Sequence, residues 1–204
     1  MTHRTLDPAT ESAQARYQLL TSLVVPRPIG WISTWGLQRI PNLAPFSYFS
    51  ALASSPMLVG VSVGHRATGP KDTLVNLRSG GAFCVNIVDV AHLEAMNVSS
   101  ADVAPEVDEF DLADLPMEGS SVVDAPYVAD CPAVLECRVS QEVSLGDAPN
   151  TLIIGEVVGL RLSEDLDFVE GTRAVDPEAL LPVGRLWGSG YALPGPIRNL
   201  PRPR

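Results

Sequence analysis

Cysteine is scarce in this 204-residue chain and odd in number. The three residues, Cys84, Cys131 and Cys137, have the spacing of no standard zinc ligand set, so core packing in a reducing compartment is the expectation. Basic residues are also few: 14 Lys and Arg stand against 24 Asp and Glu, giving a formal net charge of -10 and a pI near 4.6. That balance offers no electrostatic footprint for nucleic acid and disfavours acidic membrane surfaces. No window reaches the roughly 18 apolar residues that span a bilayer. The start, Met1-Thr2-His3-Arg4-Thr5-Leu6-Asp7, lacks the apolar stretch of a signal peptide. A cytoplasmic location is therefore expected. Histidines number only 3, and nothing places His65 or His92 beside a Ser or Cys nucleophile, so both are expected to be structural.

What is present is an ordinary apolar fraction, 46%, with 19% charged residues. This suffices for one domain over residues 1–204 with a core that needs neither disulfides nor metals. Residues 29–34 read as a strand, and the continuous apolar run 57–63 as a strand buried on both faces. Helical spacing over 71–78 ends at the stop signal Gly80-Gly81. A strand over 82–88 and a helix over 91–98 follow, then an acidic stretch, 99–125, that reads as solvated. The longest strand candidates are 134–143 and 151–162, joined by hairpin-loop residues at 146–150. Pro-rich residues 194–204 are expected to be extended and to wrap a neighbour. Successive strands with two or three helices predict an antiparallel barrel rather than a doubly wound sheet.

The most informative segment is VPRPIGWISTWGLQRIPNLAPFSYFSALASSP over 25–56, followed by Pro70-Lys71-Asp72-Thr73. Nucleotide fingerprints fail nearby. Gly188-Ser189-Gly190 has Leu193 at its third glycine position, and Pro70 and Asp72 interrupt the P-loop-like order of 64–73. What survives is a simpler anion site: Lys71 supplies a point charge, Thr73 a hydroxyl, the helix N-terminus its amides, and Arg66 a clamp. Equally open is that Asp72 or Thr73 caps the helix and Lys71 is solvated. Asn42 offers both a donor and an acceptor to a flat polar ring, and the amides of a loop carrying Ala44, Phe46 and Ser47 could face it. Pro41 and Pro45 stiffen that loop. The alternative is a Pro-bounded surface turn with Phe46, Tyr48 and Phe49 in the core.

Taken in order, PRPIGWIST, NLAPFSYFSA and PKDTLVNLRSGGAFCVNIV resemble the successive signatures of the flavin reductase-like proteins, which bind FMN on a split β-barrel. Later segments agree in order: Ala95-Met96-Asn97-Val98-Ser99-Ser100, Glu106-Val107-Asp108-Glu109-Phe110, Leu135-Glu136-Cys137, and Pro182-Val183-Gly184-Arg185-Leu186 with Tyr191. The resemblance runs from Tyr17 to Tyr191. It implies an all-β to α+β fold, a six-stranded antiparallel split β-barrel with a few flanking helices, assembled as a homodimer. It implies FMN in preference to FAD, NAD(P)H as hydride donor, and a monooxygenase or electron-transfer partner for the reduced flavin. The alternative within the same resemblance is a flavoredoxin-like carrier that holds FMN tightly and takes no hydride directly.

Carried over by residue, Asn42, Leu43, Ala44, Phe46 and Ser47 would line the ring and ribityl chain, with Thr34 nearby. Ser62, Arg66, Lys71 and Thr73 would gather around the phosphate, and Asn97 and Arg185 would stand at the rim. The flavin itself would carry the hydride, so no catalytic side chain is assigned. The chain departs from the pattern at Ala53, Met57, Trp187 and Tyr191-Ala192-Leu193-Pro194, the last two on the nicotinamide side of the site.

Overall fold

Seven strands pair antiparallel in one sheet: β1 (Gly30–Trp35), β2 (Pro41–Phe46), β3 (Phe49–Ser54), β4 (Met57–Val63), β5 (Ala82–Ile87), β6 (Ala133–Leu145) and β7 (Asn150–Leu162). Their order is β2-β1-β5-β6-β7-β4-β3 in a computed structural model that describes residues 1–146 and 150–203. The expectation of six strands is thereby corrected to seven, and among the described residues no ladder joins β2 to β3. Two of the seven, β2 and β3, come from residues 41–54, which the density of Pro and Ser marks as loop. Pro41 and Pro45 are tolerated because β2 is a sheet edge, where a missing N–H breaks no ladder bond. The loop expected at 146–150 lies outside the described residues at 147–149; its flanking strands pair Leu145 with Asn150.

The flanking helices are α1 (Ala13–Leu23), α2 (Asp72–Gly80), α3 (Leu93–Val98), α4 (Glu109–Leu112) and α5 (Pro177–Leu180). Helix α2 stops where Gly81 takes a left-handed φ of 65° and its N–H bonds Leu77 O at 3.0 Å, which is why the glycine pair reads correctly as a terminator. Helix α1 starts on Ser12, whose hydroxyl accepts from Ala15 N at 3.1 Å. Among the described residues no helix is long and apolar enough to cross a membrane.

Both faces of the central part of the sheet are covered. On one face Ile32, Phe83 and Val85 pack with Leu74 and Leu77 of α2, Phe46 of β2, and Val59, Val61 and Val63 of β4. One cluster thus gathers residues from strands near opposite ends of the order, so the sheet curls around α2. On the other face Trp31, Leu43, Cys84 and Val134 pack with Met96 of α3, Phe110 of α4 and Val183. Two buried faces explain the apolar run of β5, whereas β4 buries Val59, Val61 and Val63 against α2 and turns Gly60 and Ser62 to a surface groove. The two faces also separate the thiols: Cys84 faces one cluster and Cys137 the other, although their strands are neighbours. All three cysteines are free and buried, and burial pushes Cys131 and Cys137 up to about 12 and Cys84 higher still. They are packing residues. Residues 193–203 carry no helix or strand and are exposed.

Candidate functional site

Edge strand β2 decides what the site can offer. Its register pairs Asn42 with Thr34, Ala44 with Ile32 and Phe46 with Gly30, while Leu43 N turns outward to Glu109 Oε2 at 3.0 Å. By antiparallel alternation the amides of Asn42, Ala44 and Phe46 are therefore spent in the ladder. The remaining outward positions, Pro41 and Pro45, have no N–H. Residues 41–46 thus form a strand with no spare amide, not the amide-bearing loop that its prolines suggested. Its contribution is side chains, together with Ser47 just beyond its end.

Those side chains fall into two adjoining hollows. A main cleft of about 770 Å³ is lined by Phe46, Ser47, Ser62, Lys71, Asn97 and Arg185, with Tyr17 and Thr21 of α1 and the turn after Arg185. A smaller cavity of about 270 Å³ is lined by Asn42, Ala44, Arg66, Lys71 and Thr73, beside Asp72, Asp102 and Glu109. Lys71, Pro45 and Ser100 border both. Thr34 and Leu43 border neither: the Leu43 side chain is in the core, and Thr34 Oγ1 accepts from Asn76 Nδ2 at 3.0 Å. A parallel buried bond, Asn42 Nδ2 to Thr73 Oγ1 at 3.2 Å, fastens the start of α2 to β2.

The two cations near α2 have different fates. Arg66 lies 2.7 Å from Asp72 and 2.7 Å from Asp102, so its charge is already matched. Lys71 has no carboxylate partner among the described residues. It occupies the N-cap position of α2 without a side-chain cap, and its Nζ stands 5.6 Å from the Phe46 ring centre. Neither Asp72 nor Thr73 caps the helix, which leaves its first amides and partial positive charge beside Lys71.

Sequence reasoning missed Arg27, although the motif PRPIG contains it. Arg27 is buried, and its guanidinium donates to Thr21 O at 2.6 Å, Val24 O at 2.9 Å, Leu186 O at 3.1 Å and Ser47 Oγ at 3.4 Å. It ties α1, the end of β2 and the 186–190 turn around the cleft. A charged residue between two prolines in an apolar run was the available signal. On the far side of that turn Tyr191 OH donates to Asn97 Oδ1 at 3.0 Å and Arg185 stacks 4.5 Å from the Tyr191 ring centre. Burial, reinforced by the neighbouring Tyr17 and opposed by Arg27, raises the Tyr48 phenol, so this lining residue of the cleft stays neutral.

Glu109 breaks the solvated reading of the acidic stretch. Only 6% exposed, its carboxyl is raised by burial against the pull of the Leu43 N–H, with Asp72 and Asp108 adding to the rise. A raised acid contributes stability that is complete below its ordinary value of 4.5 and is lost as pH climbs through the folded value. Glu109→Gln stays neutral and keeps an oxygen for Leu43 N. Its Tm is therefore expected to rise relative to the parent protein between about pH 4 and about pH 7. A Tm difference independent of pH in calorimetry would show that Glu109 ionises as in the unfolded chain.

Residues 22–175 match the family model described as flavin reductase like domain. An uncharacterized protein of Deinococcus radiodurans is 41% identical over 195 residues, which cover 93% of this chain and 85% of that protein. The crystal structure of nitrilotriacetate monooxygenase component B from Bacillus cereus is similar with a TM-score of 0.92 at 32% identity, covering 98% of this chain and 100% of that one. The structure of the 2-nitrobenzoate 2-nitroreductase NbaA of Pseudomonas fluorescens gives a TM-score of 0.88 at 26% identity, covering 98% and 96%. With a family match over most of its length and a shared fold from end to end, this chain belongs to the flavin reductase-like family.

Proposed function

We propose that this protein holds FMN in the main cleft and transfers hydride to it from NAD(P)H, supplying reduced flavin to a monooxygenase or electron-transfer partner. The observation that carries this reading is the charge of the cleft. In a chain with 24 acidic residues, none of the residues lining it is Asp or Glu, while Arg27, Lys71 and Arg185 all are lining residues. Low-dielectric walls around one sign of charge focus the field on an anion. Phe46, Tyr17, Tyr48 and Trp187 supply aromatic surface to the same space. A flat ring carrying a phosphate satisfies both features.

Lys71 and the uncapped start of α2 are suited to one phosphate, which favours FMN over FAD. Ser47, Ser62 and Asn97 offer hydrogen bonds within the cleft, and the Tyr191–Asn97 bond holds one wall in place. Asn42 and Thr73 act one step back by fixing α2 against β2, and Thr34 does so by accepting from Asn76, which fixes α2 against β1. Arg66, matched by Asp72 and Asp102, secures the 65–70 hairpin. Bound FMN would supply the hydride chemistry, so the protein's task is to bind, orient and exclude water.

The exposed apolar side chains Leu20, Val24, Tyr48 and Leu52, bordering a groove of about 400 Å³, support a homodimer formed on this face. Three buried free thiols suit a cytoplasmic protein. The test is direct: purified protein loaded with FMN should oxidise NADH or NADPH faster than free FMN does. Bound flavin that ignores both nucleotides yet exchanges electrons with a partner protein would replace this reading with a flavoredoxin-like carrier.

A further inference from the structure

Trp187 is 51% exposed, yet its backbone lies in a hydrogen-bonded turn. Leu186 N bonds Gly190 O at 3.0 Å and Gly190 N bonds Trp187 O at 3.2 Å, closing a tight turn in which Gly188 has a φ of 65°. Arg27 holds Leu186 O at 3.1 Å from below, and the Arg185 guanidinium donates to Gly188 O. A large apolar side chain is thus left bare on a pinned backbone, and with only two side-chain torsions to order it loses little freedom when another ring stacks on it.

Its position gives the platform a use. Trp187 lines the main cleft and also a shallow recess of about 450 Å³ bounded by the N-terminal segment and α1, and Gln18 borders both. The cleft and the recess therefore meet at the indole. The recess brings Arg4, which has no carboxylate partner among the described residues, together with the Gln18 amide and the Ser22 hydroxyl. Glu11 is the carboxylate on its wall, an acceptor suited to sugar hydroxyls. Arg185, also without a carboxylate partner, stands two residues before Trp187 on the cleft side. A cation, a bare ring, polar groups for a sugar and a second cation lie along one path.

We propose that this path is the subsite for the adenosine-phosphate half of the pyridine dinucleotide. The base stacks on Trp187, the linking phosphates meet Arg185, and the far end reaches Arg4 in the recess. The proposal rests on the reading that NAD(P)H is the donor, and it extends that reading to where selectivity for the whole dinucleotide arises.

ADP-ribose, with and without the extra phosphate of the NADPH type, separates the two ideas because it carries the adenosine half and no hydride. Calorimetric titration of the FMN-loaded protein should detect binding of at least one form. Trp187→Ala should weaken it about tenfold, the size expected for a lost base–aromatic stack, while Trp187→Phe restores most of it. In turnover, Trp187→Ala should raise KM for the dinucleotide more than for a truncated dihydronicotinamide lacking the adenosine half. Absence of ADP-ribose binding to the parent protein, or equal affinity in Trp187→Ala, overturns the proposal. Binding of ADP-ribose by a protein that never oxidises NAD(P)H overturns the hydride reading and leaves the subsite standing.

Discussion

Replacing Lys71 with methionine is expected to weaken FMN binding about 10- to 100-fold, the loss that follows removal of one charge-assisted hydrogen bond. Lys71 borders both hollows, has no carboxylate partner among the described residues, and sits where the amides of α2 lack a side-chain cap. Methionine keeps most of the stem and deletes the charge, including the approach of Nζ to the Phe46 ring. Arg66 is a poorer probe of the same anchor. Its removal would free Asp72 and Asp102, and any weakening would mix lost attraction with new repulsion. Titration by flavin fluorescence reads the effect, and the parent protein should lose affinity with added salt while Lys71→Met loses less. An unchanged Kd in the variant would move the phosphate away from the start of α2.

The second large effect concerns stability. Trp31 is fully buried in the cluster beneath α3 and α4, and its Nε1 donates to Ser99 Oγ at 2.9 Å. Trp31→Ala should cost about 3–5 kcal/mol through lost burial and a residual cavity. That is a large share of the roughly 5–15 kcal/mol that holds a domain together. At about 2–4 °C per kcal/mol for a chain of this size, Tm should fall by roughly 6–20 °C. Trp31→Phe retains most of the ring and forfeits the Ser99 bond, so its loss should be about 1–2 kcal/mol. Chemical denaturation would contradict this account of the core if Trp31→Ala cost less than about 1 kcal/mol. Because Ser99 precedes Ser100 at the boundary of the two hollows, the same bond connects core packing to the shape of the site.

Much of the fold was legible because local signals agreed with tertiary need. The apolar run of β4, the strand β5 and the long β6–β7 pair were visible from composition, and α2 from its helical spacing and the Gly80-Gly81 stop. Strands β2 and β3 were not, since Pro41, Pro45 and the serines around them are turn-forming residues unless a sheet edge receives them. Helix α1 escaped notice for a related reason: only Thr21 of its residues is buried, so its apolar side chains trace no core-facing stripe. Glu109 was hidden in a run whose other acidic side chains are exposed or half-buried, and the outward N–H of Leu43 gives its buried carboxyl a partner.

The sequence by itself determined the family, the strand-rich plan, the packing role of the cysteines and the pairing of Lys71 with the start of a helix. These follow from the order of motifs and from near neighbours, which a linear reading preserves. Only the tertiary structure decided which cation is free. Arg66 and Lys71 look equivalent along the chain, but Asp102, distant in sequence, closes on Arg66 and leaves Lys71 uncompensated. It also decided that the strand carrying Asn42 and Ala44 spends its amides, and that the C-terminal turn with Trp187 stands at the cleft beside α1. Electrostatic matching and hydrogen-bond satisfaction depend on distance through space, and the chain order does not contain those distances.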